Sequence, residues 1–424
     1  MQKPQKLLLV EDSSLVLKVL KRIIQQNDEF DADFAETYEQ AKLLIGTNPE
    51  NYFAALVDLN LPDAPNGEVV DLVLENKLPT IVLTSSYSEK KKDNLLKKGI
   101  VDYVVKESRY SYESAIKIIT RLNKNHHTKI LVVDDSSVAR KQCTRLLEKY
   151  LFQVFEADGA KQAVHLLTNN SDIKLVITDY NMPGTDGFEL VKLIRTKYDK
   201  QNLTIIGLSG DGDNTLSARF IKNGANDFLK KPFVQEEFYC RVMHNIENLE
   251  SIERIRDNAN KDYLTGLFNR QYFYQLASIK IQESHKNNIP FTVAVIEIDN
   301  FGEFNNVYHH YGDNIVLDFS EVFANSFSKF LIGRLSSSQF AIYFSGFNEK
   351  KTFEFVDGFR KKVKSISVHL EDDEGESTIT ISGSIASSER LLDEEEWHLT
   401  PLLVDCDQLL ERARDAGQDI IVYE

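Results

Sequence analysis

Two sets of acidic, hydroxyl and basic residues stand out in this sequence because each set could receive a phosphoryl group. In each set, two adjacent acids follow an apolar run. An Asp, a hydroxyl residue and a Lys then stand at the ends of three later apolar runs. The sets are Glu11, Asp12, Asp58, Thr84 and Lys106, then Asp134, Asp135, Asp179, Ser209 and Lys231. Converging carboxylates repel one another unless a cation lies among them, and their oxygens suit Mg²⁺. A carboxylate can also attack phosphorus, and a lysine ammonium then neutralises charge on the transferring group.

The two sets belong to an internal repeat in the first half of the chain. The segment KLLLVEDSSLVLK at 6–18 returns as KILVVDDSSVARK at 129–141, and three later segments return in the same order. The offset between copies stays between 121 and 125 residues, so one domain is duplicated in tandem.

Each copy alternates short apolar runs with amphipathic stretches of helical periodicity, such as Ser14–Gln25 and Ser137–Tyr150. This alternation is typical of a doubly wound parallel sheet with helices on both faces. Ligands of such sheets bind at the carboxyl ends of the strands. The sequence therefore predicts that the five polar residues of each set meet at that edge.

On these residues and their spacing, both copies resemble receiver domains of bacterial response regulators. The resemblance implies a flavodoxin-like sheet of strand order 2-1-3-4-5, with Asp58 and Asp179 as phosphoacceptors. It implies that Thr84 with Lys106, and Ser209 with Lys231, bind the phosphoryl group. The implied ligands of Mg²⁺, counting a backbone carbonyl two residues after each acceptor, are Glu11, Asp12, Asp58 and Asn60, and Asp134, Asp135, Asp179 and Asn181.

The two implied pockets differ in detail. The intervals from Asp135 through the acceptor and hydroxyl to the Lys are 44, 30 and 22 residues, as in a compact receiver, whereas those from Asp12 are 46, 26 and 22. The ring expected to change rotamer on phosphorylation is Tyr103 in one copy and Phe228 in the other. A cis peptide is expected at Lys231–Pro232 but not in the first copy.

The rest of the chain resembles the diguanylate cyclase, or GGDEF, family over residues 262–424. The resemblance is carried by DYLTGLFNR at 262–270, VAVIEIDNFGEFNNVYHHYGD at 293–313 and TITISGSIAS at 378–387. It implies an α/β domain with a mostly antiparallel sheet, and residual guanine contacts at Asn305 and Asp313.

The signature hairpin departs from that family, because Ser336–Phe340 reads SSSQF where the family has Gly-Gly-(Asp/Glu)-Glu-Phe. Ser338 is a weak Mg²⁺ ligand, and the amide of Gln339 cannot accept a proton near neutral pH. Other family positions are occupied by Glu297, Gly302 and Gln418 in place of Asp, Lys and Arg. We therefore expect a degenerate domain without cyclase activity. The chain would then not be an enzyme, beyond self-phosphorylation and dephosphorylation of its receivers, and neither GTP nor cyclic di-GMP is an expected cofactor.

The predicted organisation is a receiver at 5–122, a second receiver at 128–248, a helical linker at 249–261 and the degenerate GGDEF domain at 262–424. A net charge of −15 disfavours binding to nucleic acid or to anionic membrane surfaces. The sequence has no apolar run of the roughly 18–20 residues that a membrane span needs, and its beginning does not resemble a signal peptide. A cytoplasmic location is expected.

The preferred interpretation is a phosphorelay response regulator supplied by a histidine kinase or histidine phosphotransfer protein. The third domain would act as output by binding a protein partner or by forming a homodimer. Three alternatives stay open: an active or weakly active cyclase that makes cyclic di-GMP from GTP, a nucleotide-sensing GGDEF domain, and a phosphate sink.

Overall fold

The computed structural model describes residues 4–47, 49–85, 88–210, 216–302, 312–364, 367–369, 376–391 and 397–423. The chain divides into two compact units, residues 1–251 and 252–424. The first unit contains both copies of the repeat, and the second contains the third domain. Among the described residues, no helix is both long enough and apolar enough to cross a bilayer.

The first copy is a five-stranded parallel sheet of order β2-β1-β3-β4-β5, as the resemblance implies. Its central strands are buried on both faces, which explains their continuous apolar runs. Its elements are β1 (Gln5–Val10), α1 (Ser14–Gln25), β2 (Phe30–Ala35), α2 (Tyr38–Thr47), β3 (Tyr52–Asp58), α3 (Glu68–Glu75), β4 (Thr80–Thr84), α4 (Glu89–Lys98), β5 (Asp102–Val105) and α5 (Arg109–Asn125).

The second copy repeats this topology with the order β7-β6-β8-β9-β10, again all parallel. Its last helix continues without a break into the predicted helical linker, and the Lys231–Pro232 peptide is cis, as expected. Its elements are β6 (Lys129–Val133), α6 (Ser137–Lys149), β7 (Gln153–Ala157), α7 (Ala160–Asn169), β8 (Ile173–Asp179), α8 (Gly187–Arg195), β9 (Thr204–Ser209), α9 (Leu216–Lys222), β10 (Asp227–Lys230) and α10 (Gln235–Asn260).

The two copies share one continuous hydrophobic cluster. Ile119 of α5 belongs to the same cluster as Tyr150, which follows α6, and Tyr239 of α10. The rings of Tyr150 and Tyr239 have centroids 3.8 Å apart. At the edge of this cluster, Arg121 donates to both carboxylate oxygens of Glu250 at 2.8 Å each. The copies therefore pack against each other as parts of one unit.

Polar contacts from the second copy also hold α4 of the first. The ammonium of Lys149 donates to the carbonyl of Leu96 in the last turn of α4 at 3.2 Å, and Lys92 of α4 forms an ion pair with Glu236. Burial lowers the pKa of Lys149 to about 8, although the nearby Asp102 acts in the opposite direction. The half-buried ammonium of Lys149 thus loses its proton more easily in the folded protein than in the unfolded chain.

The third domain is built on a mixed sheet of order β12-β13-β11-β16-β17, in which only the β16–β17 pair is parallel. The expected mostly antiparallel sheet is therefore confirmed. Its elements are α11 (Arg270–Lys286), β11 (Phe291–Ile298), α12 (Gly312–Ser326), β12 (Leu331–Arg334), β13 (Gln339–Ser345), α13 (Glu349–Val363), β14 (Ser367–His369), β15 (Glu376–Thr378), β16 (Ile381–Ser387), α14 (Leu399–Asp415) and β17 (Ile421–Tyr423).

The lowered pKa of Lys149 predicts a pH dependence of stability. Between about pH 8 and its ordinary value of 10.5, the unfolded chain holds the proton that the folded protein has lost, so stability rises with pH. We expect a rise of roughly 1 kcal/mol between pH 7.5 and 9.5, because the half-buried amine stays partly solvated. Lys149→Met should remove this rise in urea unfolding.

The matched control is Lys141→Met, which changes an exposed lysine of the same helix and should leave the rise intact. A wild-type curve parallel to that of Lys149→Met over this pH range would contradict the prediction.

Candidate functional site

In the first copy, the carboxyl ends of three parallel strands bring a lysine between two acids. Glu11 follows β1, Asp58 ends β3 and Lys106 follows β5. The Lys106 ammonium donates to Glu11 Oε2 and to Asp58 Oδ2, at 2.6 Å each. Both acids are buried, with 1% and 7% of their surface exposed. The side chains of Glu11, Asp58 and Lys106 thus meet at this edge of the sheet, as predicted.

Burial and hydrogen bonding oppose each other at this edge. Desolvation by burial raises the pKa of Glu11 above its ordinary value, against the effect of Lys106. Burial also works to lower the pKa of Lys106, but its hydrogen bonds to Asp58 and Glu11 outweigh burial, and the pKa is raised overall. The lysine is therefore held as a cation that partly neutralises two desolvated carboxyl groups.

The second copy reproduces this arrangement. The Lys231 ammonium donates to Asp134 Oδ2 at 2.8 Å and to Asp179 Oδ1 at 2.6 Å. Burial raises the pKa of Asp179 despite the opposing effect of Lys231. The backbone N–H of Asn181 donates to Asp179 Oδ2 at 2.8 Å, and the backbone N–H of Asn60 donates to Asp58 Oδ1 at 3.3 Å.

Both the resemblance to receiver domains and the chemistry of the carboxylates indicate a divalent cation at this edge of the sheet. Oxygen atoms of Glu11, Asp12 and Asp58 all lie within 4.8 Å of one another. Among the described residues, these three acids form the group whose oxygens come that close together; in the second copy, Asp134 and Asp179 are buried beside Lys231, while Asp135 is exposed. Mg²⁺ prefers hard carboxylate oxygens, so the residues of the first copy fit this ion.

The predicted hydroxyl residues end the strand next to each acceptor. Thr84 ends β4 with 4% exposure, and Ser209 ends β9 with 2% exposure. The register pairs Asp58 with Leu83 and Asp179 with Leu208, so each hydroxyl residue lies one position beyond its acceptor's partner. This places both hydroxyl residues at the same edge as the lysines.

The predicted switch rings lie in different surroundings. The ring of Tyr103 lies under the ammonium of Lys92, 5.6 Å from its centroid. Phe228 instead packs against Phe220, with centroids 5.6 Å apart. Because Lys92 is also paired with Glu236, the first ring borders a contact between the two copies.

Gly187 is a supporting residue whose role sequence reasoning missed. A Cβ built there would lie 2.4 Å from the carbonyl oxygen of Asp179. The start of α8 therefore passes directly under the acceptor, where only glycine fits. In the sequence alone, Gly187 is equally consistent with an ordinary turn.

In the third domain, an arginine clamps the SSSQ hairpin. Arg334 donates from Nε to the Ser336 carbonyl at 2.9 Å and from a terminal nitrogen to that of Ser337 at 2.7 Å. Its other terminal nitrogen donates to Asp262 Oδ1 at 2.9 Å. The opening motif of the domain is thereby tied to the hairpin, a contact that sequence reasoning missed because the two lie far apart in the chain.

Beside the hairpin lies a polar pocket of about 180 Å³, whose lining includes Glu297, Asp299, Asn300, Gly302, Ser338, Arg414 and Gln418. Arg414 donates to Glu297 Oε2 at 2.6 Å, and Gln418 donates to Asn300 Oδ1 at 3.0 Å. Gln339 pairs with Glu297 across the sheet. Asp313 is exposed at the start of α12, and Asn305 lies outside the described residues.

Comparison with known proteins identifies both parts of the chain. Residues 7–114 and 130–243 match the response regulator receiver domain, and residues 259–419 match the diguanylate cyclase, GGDEF domain. A chemotaxis protein CheY homolog of Campylobacter jejuni is 38% identical over 109 residues, covering 26% of this chain and 84% of that protein. A two-component response regulator of Oryza sativa is 34% identical over 103 residues, covering 24% and 79%.

A solved structure extends the similarity beyond single domains. The crystal structure of a two-component system response regulator/GGDEF domain protein is 45% identical, with a TM-score of 0.53. It covers 58% of this chain and 99% of its own.

The match to a cyclase family contradicts the prediction that this chain is not an enzyme, and that prediction is wrong. That prediction rested on family residues that are replaced here, Ser338 and Gln339 of the hairpin together with Glu297, Gly302 and Gln418. The folded domain still gathers Glu297, Asp299 and Arg414 around one polar pocket, which a comparison of single hairpin positions does not reveal.

The lysine between two buried acids predicts a large stability effect. Lys106→Met leaves Glu11 and Asp58 desolvated without their cation, and we expect a loss of about 3 kcal/mol in metal-free buffer. Urea unfolding of the full chain measures it. Lys98→Met is the control, because its ion pair with Asp71 is exposed and should contribute less than about 1 kcal/mol. Equal losses in the two variants would mean that the carboxylates at the strand ends are not desolvated.

Proposed function

This chain belongs to the response regulator receiver family and ends in a GGDEF domain, and we propose that it accepts phosphoryl groups on Asp58 and Asp179. The observation that carries the proposal is the lysine ammonium held 2.6 Å from each acceptor carboxylate. Each acceptor is also buried beside a second acid, at the carboxyl ends of parallel strands, where ligands of such sheets bind.

In the proposed reaction, a carboxylate oxygen of the acceptor attacks the phosphorus of a phosphohistidine. The bond from phosphorus to the imidazole nitrogen breaks, the imidazole leaves with a proton from solvent, and an aspartyl phosphate forms. Lys106 or Lys231 then turns from the carboxylate to a phosphoryl oxygen and neutralises its charge. Thr84 or Ser209 donates its hydroxyl hydrogen to another phosphoryl oxygen.

Mg²⁺ would be held by Glu11, Asp12, Asp58 and the Asn60 carbonyl, and in the second receiver by Asp134, Asp135, Asp179 and the Asn181 carbonyl. When bound, it supplies positive charge to the phosphoryl oxygens. The proposed donor is a histidine kinase or a histidine phosphotransfer protein, which fits the receiver family.

Replacing the acceptors tests this proposal. Asp58→Asn and Asp179→Asn should each remove the label from one receiver, and the double variant should incorporate less than about a hundredth of the wild-type label, since an amide is not a nucleophile toward phosphorus. The measurement is incorporation from phosphoramidate with Mg²⁺, with oligomeric state recorded on the same samples. Asp28→Asn, which changes an exposed acid, is the control. Label that persists in the double variant would refute both assignments.

For the third domain we infer guanine-nucleotide binding, favoured by the polar pocket that contains Glu297, Asp299 and Arg414. Arg414 is positioned to reach a phosphate, because its guanidinium is half-exposed at the pocket while it contacts Glu297. Glu297 and Asp299 offer carboxylate oxygens at the end of β11. Ser338 offers only a neutral oxygen, so any bound metal has fewer charged ligands here.

This inference predicts a gain of affinity on restoring the hairpin acids. Ser338→Asp combined with Gln339→Glu should tighten GTP binding by about tenfold in Mg²⁺ and leave it unchanged in a chelator, because carboxylates bind the metal that hydroxyl and amide groups bind weakly. Calorimetry on the full chain measures the affinity, and product analysis on the same samples reports cyclic di-GMP formation. Ser336→Ala is the control. Absence of binding heat to millimolar GTP in wild type and variant would exclude a nucleotide site.

A further inference from the structure

A cavity of about 330 Å³ lies beside the acceptor edge of the second receiver. It is bounded by Ala139, Gln142 and Cys143 of α6 and by Lys231, Pro232 and Phe233 after β10. Its volume lies within the range of small-molecule sites, and its walls combine apolar groups with one amide and one ammonium group. The reaction proposed above uses Lys231 but none of the other five residues.

The first receiver provides an internal control, because the repeat places larger side chains at the corresponding positions. With an offset of 123 residues, Val16 corresponds to Ala139 and Leu20 to Cys143, and both larger side chains are buried. The smaller side chains of Ala139 and Cys143 leave space that Val16 and Leu20 would fill.

A third difference lies between the lysine and the last helix of each receiver. The buried residues Ala115, Ile116 and Ile119 of α5 recur as Phe238, Tyr239 and Val242 of α10 at an offset of 123 residues, whereas the two lysines are 125 residues apart. The second receiver is therefore two residues shorter between its lysine and the buried face of its helix. Tyr112 packs against the hydrophobic cluster in the first receiver, and Phe233, which lines the cavity, packs against it in the second.

The polar groups of the cavity define the kind of molecule that fits. An ammonium has three hydrogens, and Lys231 donates two to Asp134 and Asp179, which leaves one for an acceptor oxygen. The Lys231 side chain is 25% exposed, against 12% for Lys106. A carboxylate would meet the negative charge of the nearby acids, so the acceptor should be neutral.

We propose that this cavity binds a small neutral aromatic amide or carbonyl compound. Its ring would lie among Ala139, Cys143, Pro232 and Phe233, and its oxygen would accept from Lys231. The amide of Gln142 is the second hydrogen-bonding partner.

Benzamide is the probe, and saturation-transfer NMR on the full chain measures its binding. We expect a dissociation constant on the order of 1 mM, as suits nine non-hydrogen atoms. Ala139→Val combined with Cys143→Leu restores the residues of the first receiver and should weaken binding at least tenfold. Benzoate should bind at least tenfold more weakly than benzamide, because of its charge.

Two further measurements separate loss of the site from loss of the fold. Labelling of Asp179 by phosphoramidate should survive in the filled variant, because neither substituted residue takes part in the proposed reaction. If that variant does not fold, Gln142→Ala tests the same site at an exposed position and should also weaken benzamide binding, because it removes the second hydrogen-bonding partner. The proposal is overturned if the wild type does not bind benzamide up to about 10 mM, or if binding is unchanged in the folded filled variant or in Gln142→Ala. Neither result would bear on phosphorylation of Asp179.

Discussion

A lysine ammonium between two buried carboxylates is the interaction around which each receiver's functional edge is organised. Two desolvated acids at adjacent strand ends would repel each other, and the cation makes their burial tolerable. Lys106 and Lys231 reach them because the strands are parallel, so that all carboxyl ends meet at one edge. The same charge balance matters for the proposed chemistry. An incoming phosphoryl group and its metal ion would change the balance between the lysine and the two carboxylates.

The two receivers share this chemistry but not its surroundings. In the first, the ring of Tyr103, the predicted switch residue, lies under Lys92, which is itself paired with Glu236 of the second receiver. The second has Phe228 enclosed by its own aromatic cluster. A change at the first acceptor therefore lies close to the packing between receivers, whereas a change at the second lies beside α10, the helix whose sequence leads into the third domain.

The third domain keeps a polar pocket although its signature residues are replaced. Arg334 holds the hairpin through backbone carbonyls, a contact that serines satisfy as well as glycines do. Glu297, one methylene longer than the family's aspartate, accepts from Arg414. A count of replaced residues does not reveal this pocket, and it led to the wrong expectation about enzymatic activity.

The sequence by itself determined the tandem repeat, the doubly wound parallel sheets and the ten polar residues of the two receiver edges, because the periodicity of apolar residues and their spacing are local properties that recur twice. The strand orders and the mostly antiparallel third sheet followed from the family resemblance of the motifs. Only the tertiary structure decided the packing of Lys149 against Leu96, the Arg334 clamp, the need for Gly187 and the cavity beside Lys231. Each of these depends on distances and volumes between residues far apart in the chain, and no local pattern encodes them.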